Sequence, residues 1–356
     1  MNGPKVLISP LSWGFGHAGR MIPLARELER RGCEVVFAAD EPLIKLVAGE
    51  LPGVMTLEIP GLRIRYSRFL PQYVSIFLQL PVIVASAVRE HATLRRLAKE
   101  LDPIVIISDN RFGFYHKKIF SVYVTHQVRI AFPGYLRFLE PVAALIHRII
   151  IRRYDLCLVP DYPGSENLSG KLSHGIRLPG NTAFIGPLSR FGASVSDPVA
   201  PCRAKGEPLL KDTGGAAIVM TRPYVCLILS GPEPQRSLLL RKVSGSLREF
   251  RLSVLCATPV NFHAPPGQEI NIITEADTST MRHIISGALI VIARAGYTSV
   301  MELVSLGRGA VLIPTPGQTE QEYLGRHLDG RYGFVTMSQN SLDRLASVVL
   351  SEQNKE

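Results

Sequence analysis

The chain has 356 residues, 46% of them hydrophobic, with a net charge of +10 and a pI near 9.5. That length and apolar content suit two domains of ~150–200 residues better than one, and no run approaches the ~20 uninterrupted apolar residues of a spanning helix, which excludes a transmembrane segment. The positive charge calls for an acidic partner: a phosphorylated substrate, an anionic membrane surface or nucleic acid.

In chain order, Lys5 to Ser9 is expected as a strand, followed by a loop Pro10 to Gly19 (PLSWGFGHAG), a helix from about Arg20 to Arg31 stopped by Gly32, and a strand Glu34 to Ala38 ending at Asp40. This is a βαβ unit. Leu51 to Pro60 carries turns and a short strand, the segment to Leu101 is mostly helical, and strands Ile104 to Ile107 and Ser121 to Val124 end on Ser108-Asp109-Asn110 and Thr125-His126-Gln127. Leu156 to Val159 and Ala183 to Gly186 complete the first half. Between Pro187 and Pro223 the periodicity fails in favour of Ser, Asp, Pro, Lys and Gly, as a linker would. The expected organisation is residues 1–190, a linker 191–220 and residues 221–356.

The second half restarts with strand Val225 to Leu229, which ends on Ser230-Gly231-Pro232-Glu233-Pro234-Gln235-Arg236. A helix to about Phe250, strands Leu252 to Ala257 and Ile270 to Ile273, and a helix Thr278 to Ser286 follow. The βαβ unit Ala288 to Leu328 comes next: strand Leu289 to Ala293, the turn Arg294-Ala295-Gly296, a helix capped by Thr298 and Ser299, and strand Ala310 to Ile313 ending on Pro314 and Pro316. A last helix spans Leu342 to Leu350. Each half is therefore an α/β doubly wound parallel sheet, and two such halves leave a cleft lined by strand ends.

Five cysteines (Cys33, Cys157, Cys202, Cys226, Cys256) lack any CxxC pair or His partner at metal spacing and read as reduced thiols. With no leader visible at the N-terminus, a cytoplasmic protein is expected. The basic charge concentrates in two runs. From Arg63 to Lys99, Arg63, Arg65, Arg68, Arg89, Arg95, Arg96 and Lys99 alternate with Phe69, Leu70, Tyr73, Ile76, Phe77 and Leu80; from Arg129 to Arg153, Arg129, Arg137, Arg148, Arg152 and Arg153 alternate with Phe132, Tyr135, Phe138, Leu145, Ile146, Ile149 and Ile150. Basic and apolar together fit the surface of an anionic membrane; core helices with a solvated basic face fit equally. Nucleic acid is not expected, since no helix-turn-helix, RNA-binding or zinc-finger signature is present.

Four groups compete for chemistry. Gly14-Phe15-Gly16-His17-Ala18-Gly19 fits GxGxxG, with Asp40 placed as in a nicotinamide-binding fingerprint, but five residues separate the strand from Gly14 and His17 is large for a pyrophosphate cradle. The same glycines can instead let His17 project into the cleft at a helix N-terminus, where an imidazole takes a proton from a hydroxyl. Ser230 to Arg236 offers free amides and a guanidinium to a diphosphate, or is simply a stiff turn with a solvent-facing Arg. Glu302, one turn beyond Thr298, can accept from vicinal hydroxyls or be an exposed helical carboxylate. Asp109 can orient His17 or bind an acceptor, beside Asn110, for which helix capping is the better reading, and His126.

Arg294-Ala295-Gly296, Glu302, Pro314 with Pro316, and Gln321-Glu322-Tyr323 keep the register of the donor-binding segment of GT-B glycosyltransferases, and the chain resembles family 28 of these enzymes. Gly14-x-Gly16-His17 is similar to that family's glycine-rich loop and, as SWGFGHAGR, to a wider set of bacterial and archaeal GT-B proteins. The resemblance implies two Rossmann-like domains facing a cleft. It implies that His17 is the general base or lies close to it. Ser230, Gly231, Arg236, Met281, Arg294, Gly296, Thr298, Glu302 (on the ribose diol), Gln318, Gln321 and Glu322 would bind the donor, and Gly14, Gly16, Asn110 and His126 the acceptor. The sequence departs from the family pattern at the diphosphate loop, here SGPEPQR, at Glu322 in place of a second Gln, and at Asp277-Thr278 where an aromatic covers the nucleobase.

The expected activity is inverting transfer of a hexose or N-acetylhexosamine from a nucleotide diphosphate sugar, by expectation UDP-linked, to a hydroxyl of a lipid-linked, membrane-proximal acceptor. No cofactor or metal is expected, since no DxD-type carboxylate pair stands at a strand end, and Arg294 or Arg236 with helix amides would meet the diphosphate charge. A non-hydrolysing UDP-sugar 2-epimerase and a non-catalytic membrane-peripheral binding protein share the architecture and remain alternatives.

Overall fold

The computed structural model describes residues 3–62, 74, 77–192 and 223–353. Arg63, Arg65, Arg68, Phe69, Leu70, Tyr73 and Ile76 of the first basic run, Cys202, and all of the expected linker from residue 193 onward lie outside the described residues.

Apolar, β-branched runs too uniform to face water on either side make parallel strands covered by helices on both faces. Seven form the first sheet: β1 (Lys5–Pro10), β2 (Glu34–Ala39), β3 (Met55–Glu58), β4 (Val105–Asp109), β5 (Phe120–Val124), β6 (Leu156–Val159) and β7 (Thr182–Phe184), in the order β3-β2-β1-β4-β5-β6-β7. Six form the second: β8 (Val225–Leu229), β9 (Leu252–Cys256), β10 (Ile270–Thr274), β11 (Ile290–Ala293), β12 (Ala310–Leu312) and β13 (Phe334–Thr336), in the order β10-β9-β8-β11-β12-β13. All pairings are parallel. The strand order reverses at β1/β4 in one sheet and at β8/β11 in the other, and such switch points are where open α/β sheets leave a crevice.

The helices are α1 (Phe15–Arg30), α2 (Glu41–Glu50), α3 (Leu80–Leu101), α4 (Glu140–Ile151), α5 (Gln235–Ser246), α6 (Thr278–Gly287), α7 (Tyr297–Ser305), α8 (Thr319–Leu328) and α9 (Leu345–Gln353). Val6, Ile8, Met21, Ile22 and Phe37 pack one face of the first sheet, and Leu7, Val36, Leu94 and Phe114 the other. In the second sheet, Leu227, Leu240, Val254 and Val349 fill one face; the other is completed by Leu168, Leu172 and Phe191 from the first half of the chain. The two halves thus share apolar packing.

Helix α1 begins five residues earlier than its sequence pattern implies. Gly14, at φ 135°, ends the loop, and Gly16 and Gly19 lie inside the helix. A Cβ on Gly16 would stand 2.7 Å from Thr298 Oγ1, and one on Gly19 3.9 Å from Glu302 Oε1. These glycines serve the close approach of α7, although glycine costs a helix about 0.5–1 kcal/mol relative to alanine. Because two of the three glycines are helical, the GxGxxG spacing does not form the strand-to-helix turn of a dinucleotide fingerprint. Asp40 caps nothing with its side chain at the start of α2.

Most apolar residues of the second basic run do not face the core, although Ile150 packs against it. Tyr135, Phe138, Leu145, Ile146 and Ile149 are exposed, as are Phe77, Leu80, Val82, Val84 and Val88 on and before α3. Among the described residues no helix is long and apolar enough to cross a membrane.

Candidate active site in the interdomain cleft

The register of β1 on β4 sets Pro10 opposite Asp109, so the loop leaving β1 and the end of β4 meet at the first switch point. His17, the third residue of α1, has Nδ1 3.0 Å from Asp109 Oδ2. Arg20 lies one turn further on the same helix face and is fully buried. Its Nε donates to Asp109 Oδ2 at 2.9 Å, its Nη2 to Asp109 Oδ1, and Nη2 also stands 2.9 Å from His17 Nδ1. From Nη1 the contact runs to His126 Nδ1 at 3.0 Å, and His126 Nε2 meets Glu320 Oε1 at 2.9 Å. His126 also stacks on Tyr297, with ring centroids 4.1 Å apart. Glu320 and Tyr297 belong to the second sheet's helices, so one chain of polar contacts runs from His17 across the cleft.

Burial lowers the pKa of His17; Asp109 works against this and Arg20 with it. Burial alone would raise Asp109, but the Arg20 and His17 charges outweigh it and hold the carboxyl below its usual range. Glu320 is likewise held low despite burial, first by its hydrogen bond with His126. The ring is therefore neutral near pH 7 beside an ionised carboxylate. In the tautomer that donates Nδ1–H to Asp109, Nε2 keeps a free lone pair and the Arg20 Nη2 approach to Nδ1 is a charge contact rather than a hydrogen bond.

The other residues singled out from sequence fall into different environments. Gly14 has open space around its Cβ position, whereas Gly16 faces Thr298. Asn110 caps no helix: it directly follows β4 at φ 54° and accepts a hydrogen bond from Tyr123 Oη at 3.1 Å. His126 is held between Arg20 and Glu320.

On the donor side, Ser230 and the left-handed Gly231 (φ 99°) precede α5, and Gly296 precedes α7 with nothing within 4 Å of its Cβ position. Neither helix has an acid in its first turn. Helix α8, behind Gln318, carries Glu320 and Glu322 there, which disfavours an anion. Met281 is partly buried against the core of the second sheet.

Two expected diphosphate ligands are engaged elsewhere. Arg294 is buried, its guanidinium donating to the carbonyls of Ile313, Pro314 and Gln235 at 3.2, 3.4 and 2.9 Å, and burial pushes its pKa down to about 10. Arg236 is not solvent-facing: it bonds Glu233 at 2.9 Å, both oxygens of Thr258, and Pro259 O at 3.0 Å. Each braces strand-end loops. Gln321 accepts from Thr315 N and Glu322 from Gly317 N, at 2.9 and 2.8 Å, so both tie down the loop before α8. Glu302 is buried and paired with Arg190 at 2.8 Å, which overturns the exposed-carboxylate reading. At the expected nucleobase position Thr278 donates from backbone and hydroxyl to Glu50, at 2.7 and 2.6 Å.

Arg20, Arg190, Tyr297 and Glu320 were not singled out from sequence. Only Arg20 left a signal there, a cation three residues after His17 on a helix; the others acquire partners more than a hundred residues away.

Two doubly wound parallel sheets with switch points facing one cleft define the GT-B glycosyltransferase fold. The model of the glycosyltransferase family 28 C-terminal domain matches residues 261–356. Among solved structures, the chain is similar to the spinosyn rhamnosyltransferase SpnG in complex with thymidine diphosphate (16% identity, TM-score 0.63, covering 98% of this chain and 92% of that one). It is similar to the glycotransferase of kitacinnamycin (16%, TM-score 0.62, 99% and 90%) and to MurG of Acinetobacter baumannii (12%, TM-score 0.51, 98% and 91%). At these identities the likeness speaks for the fold. No curated protein matches the chain in sequence.

Proposed function

We propose that the chain is an inverting glycosyltransferase that moves a hexose or N-acetylhexosamine from a nucleotide diphosphate sugar to an acceptor hydroxyl. The observation that carries this reading is the His17–Asp109 pair at the first switch point, 3.0 Å apart, with a neutral ring next to an ionised carboxylate. His17 Nε2 takes the acceptor proton as the hydroxyl oxygen attacks the anomeric carbon, and Asp109 stabilises the imidazolium that forms. Attack from the face opposite the diphosphate inverts the anomeric centre.

Because Arg294 and Arg236 are engaged by protein oxygens, the charge developing on the leaving diphosphate falls to the amides at the starts of α7 and α5. Gly296 supports this assignment: its φ of −81° is open to any residue and no protein atom fills its Cβ position, which leaves room for a phosphate to approach the backbone. Transfer without a metal is part of the proposal. UDP is the proposed carrier on the family resemblance, although SpnG was solved with thymidine diphosphate. The exposed apolar residues of α3 and α4, next to exposed Arg89, Arg95, Arg96, Lys99, Arg137, Arg152 and Arg153, support an acceptor held at an anionic membrane surface by a peripheral protein.

Nucleotide-sugar turnover by His17→Ala tests the base. The expected result is a rate lower by ~10²–10⁴-fold in a protein that still binds nucleotide by thermal shift, with EDTA leaving the wild-type rate unchanged. Full transfer by folded His17→Ala sinks the assignment, and product formed without any acceptor would favour the epimerase.

A further inference from the structure

A buried carboxylate beside a histidine favours the imidazolium and, without a counter-charge, raises the ring's pKa. Here the carboxylate is already paired. Arg20 grips both oxygens of Asp109 through Nε and Nη2, and neither residue is more than 1% exposed. Asp109 can thus accept from His17 Nδ1 and fix the ring while its charge is balanced by the guanidinium. The charged and titratable groups facing the ring are Asp109 from the end of β4, Arg20 from α1, His126 from the loop after β5, and Glu320 from α8 beyond His126.

We infer that Arg20 is a positioning residue for the transfer: it orients Asp109 against His17, keeps the base unprotonated, and through His126 ties both to Glu320 of the donor-side domain. The inference rests on the reading of His17 as the base, and it adds a group that acts through Asp109 without touching substrate.

The geometry also says why arginine stands here. Its planar fork meets two carboxylate oxygens and still extends Nη1 to His126 at 3.0 Å on the other side. A lysine ammonium supplies the charge but lacks the planar fork that meets both carboxylate oxygens side by side.

The decisive measurement does not require turnover. The ring of His17 in isotopically labelled protein, assigned by the loss of its signal in His17→Gln, is titrated by NMR in wild type, Arg20→Gln and Arg20→Lys. Removing the guanidinium is expected to raise the midpoint by roughly one pH unit, and the acid limb of kcat/KM should move up with it. Arg20→Lys is expected to hold the midpoint near the wild-type value while kcat falls at least ~10-fold with donor KM little changed, because charge is kept and orientation is lost. An unmoved midpoint in folded Arg20→Gln overturns the inference. Should Arg20→Gln not fold, Arg20→Lys decides: a wild-type kcat overturns it and a lowered kcat at constant midpoint upholds it. If instead His17→Ala transfers sugar normally, the base assignment fails, while the NMR midpoints still report whether Arg20 sets the state of the ring.

Discussion

Replacing Gly16 by alanine sets local and tertiary energetics against each other. Gly16 is helical, so alanine should by itself stabilise α1 by about 0.5–1 kcal/mol. The new methyl, however, would stand 2.7 Å from Thr298 Oγ1, 3.1 Å from its Cβ and 3.4 Å from its Cγ2. Rotating Thr298 relieves the first contact but not the second, so α1 and α7 must separate by a few tenths of an ångström. Overpacking of this kind costs about 1–3 kcal/mol, and it falls entirely on the closed cleft. If transfer requires that closed arrangement, kcat/KM should drop ~5–150-fold. Helicity is expected to be retained. The assay is kcat/KM for Gly16→Ala alone and combined with Thr298→Ala, which removes Oγ1 and Cγ2 and should restore part of the loss. A wild-type kcat/KM for Gly16→Ala, or a loss that Thr298→Ala leaves untouched, would refute the reasoning.

Two further outcomes are expected. His147 donates from Nδ1 to Val128 O at 3.2 Å, has Nε2 3.1 Å from Tyr123 Oη, and is lowered by burial to a pKa of about 4. Because the folded value lies below the unfolded one near 6.5, the unfolded chain takes the proton first, and stability falls by up to about 3 kcal/mol as pH drops from 6.5 to 4. Urea unfolding of His147→Gln across that range should show a correspondingly shallower loss; an unchanged slope would mean the group is not responsible. For the exposed face of α4, wild-type protein should float with vesicles containing anionic lipid, more at low salt than at high, and Leu145→Glu with Ile149→Glu should remain in the soluble fraction. Wild type that stays soluble at both salt concentrations removes the membrane from the proposal.

Much of the architecture was legible because buried parallel strands must be continuous apolar runs. Val225 to Leu229 is uninterrupted, Leu252 to Cys256 is broken only by Ser253, both are buried, and each was placed within a residue or two of its observed limits. The start of α1 was not legible. Gly14, Gly16 and Gly19 look like a loop because local propensity penalises glycine in helices, and the compensating contacts with Thr298 and Glu302 lie in the other half of the chain. The basic runs were ambiguous for a related reason: period and composition show that a helix has an apolar face but not whether anything covers it, and only the exposure of residues such as Ile146 and Val88 answers that.

Residue chemistry and strand-end position alone put His17, Asp109, Gly296 and Glu302 near the carboxyl ends of strands in two doubly wound sheets, since the connectivity of parallel βαβ units puts those ends on one side of each sheet. The tertiary structure decided what each side chain does there. Arg294 and Arg236, free cations on paper, are engaged by carbonyls of neighbouring loops, while Glu302 meets Arg190. Arg20, unremarkable in sequence, holds Asp109, beside which His17 stays neutral. A charged group's role depends on its partners and on its separation from water, and both are set by residues far away in the chain.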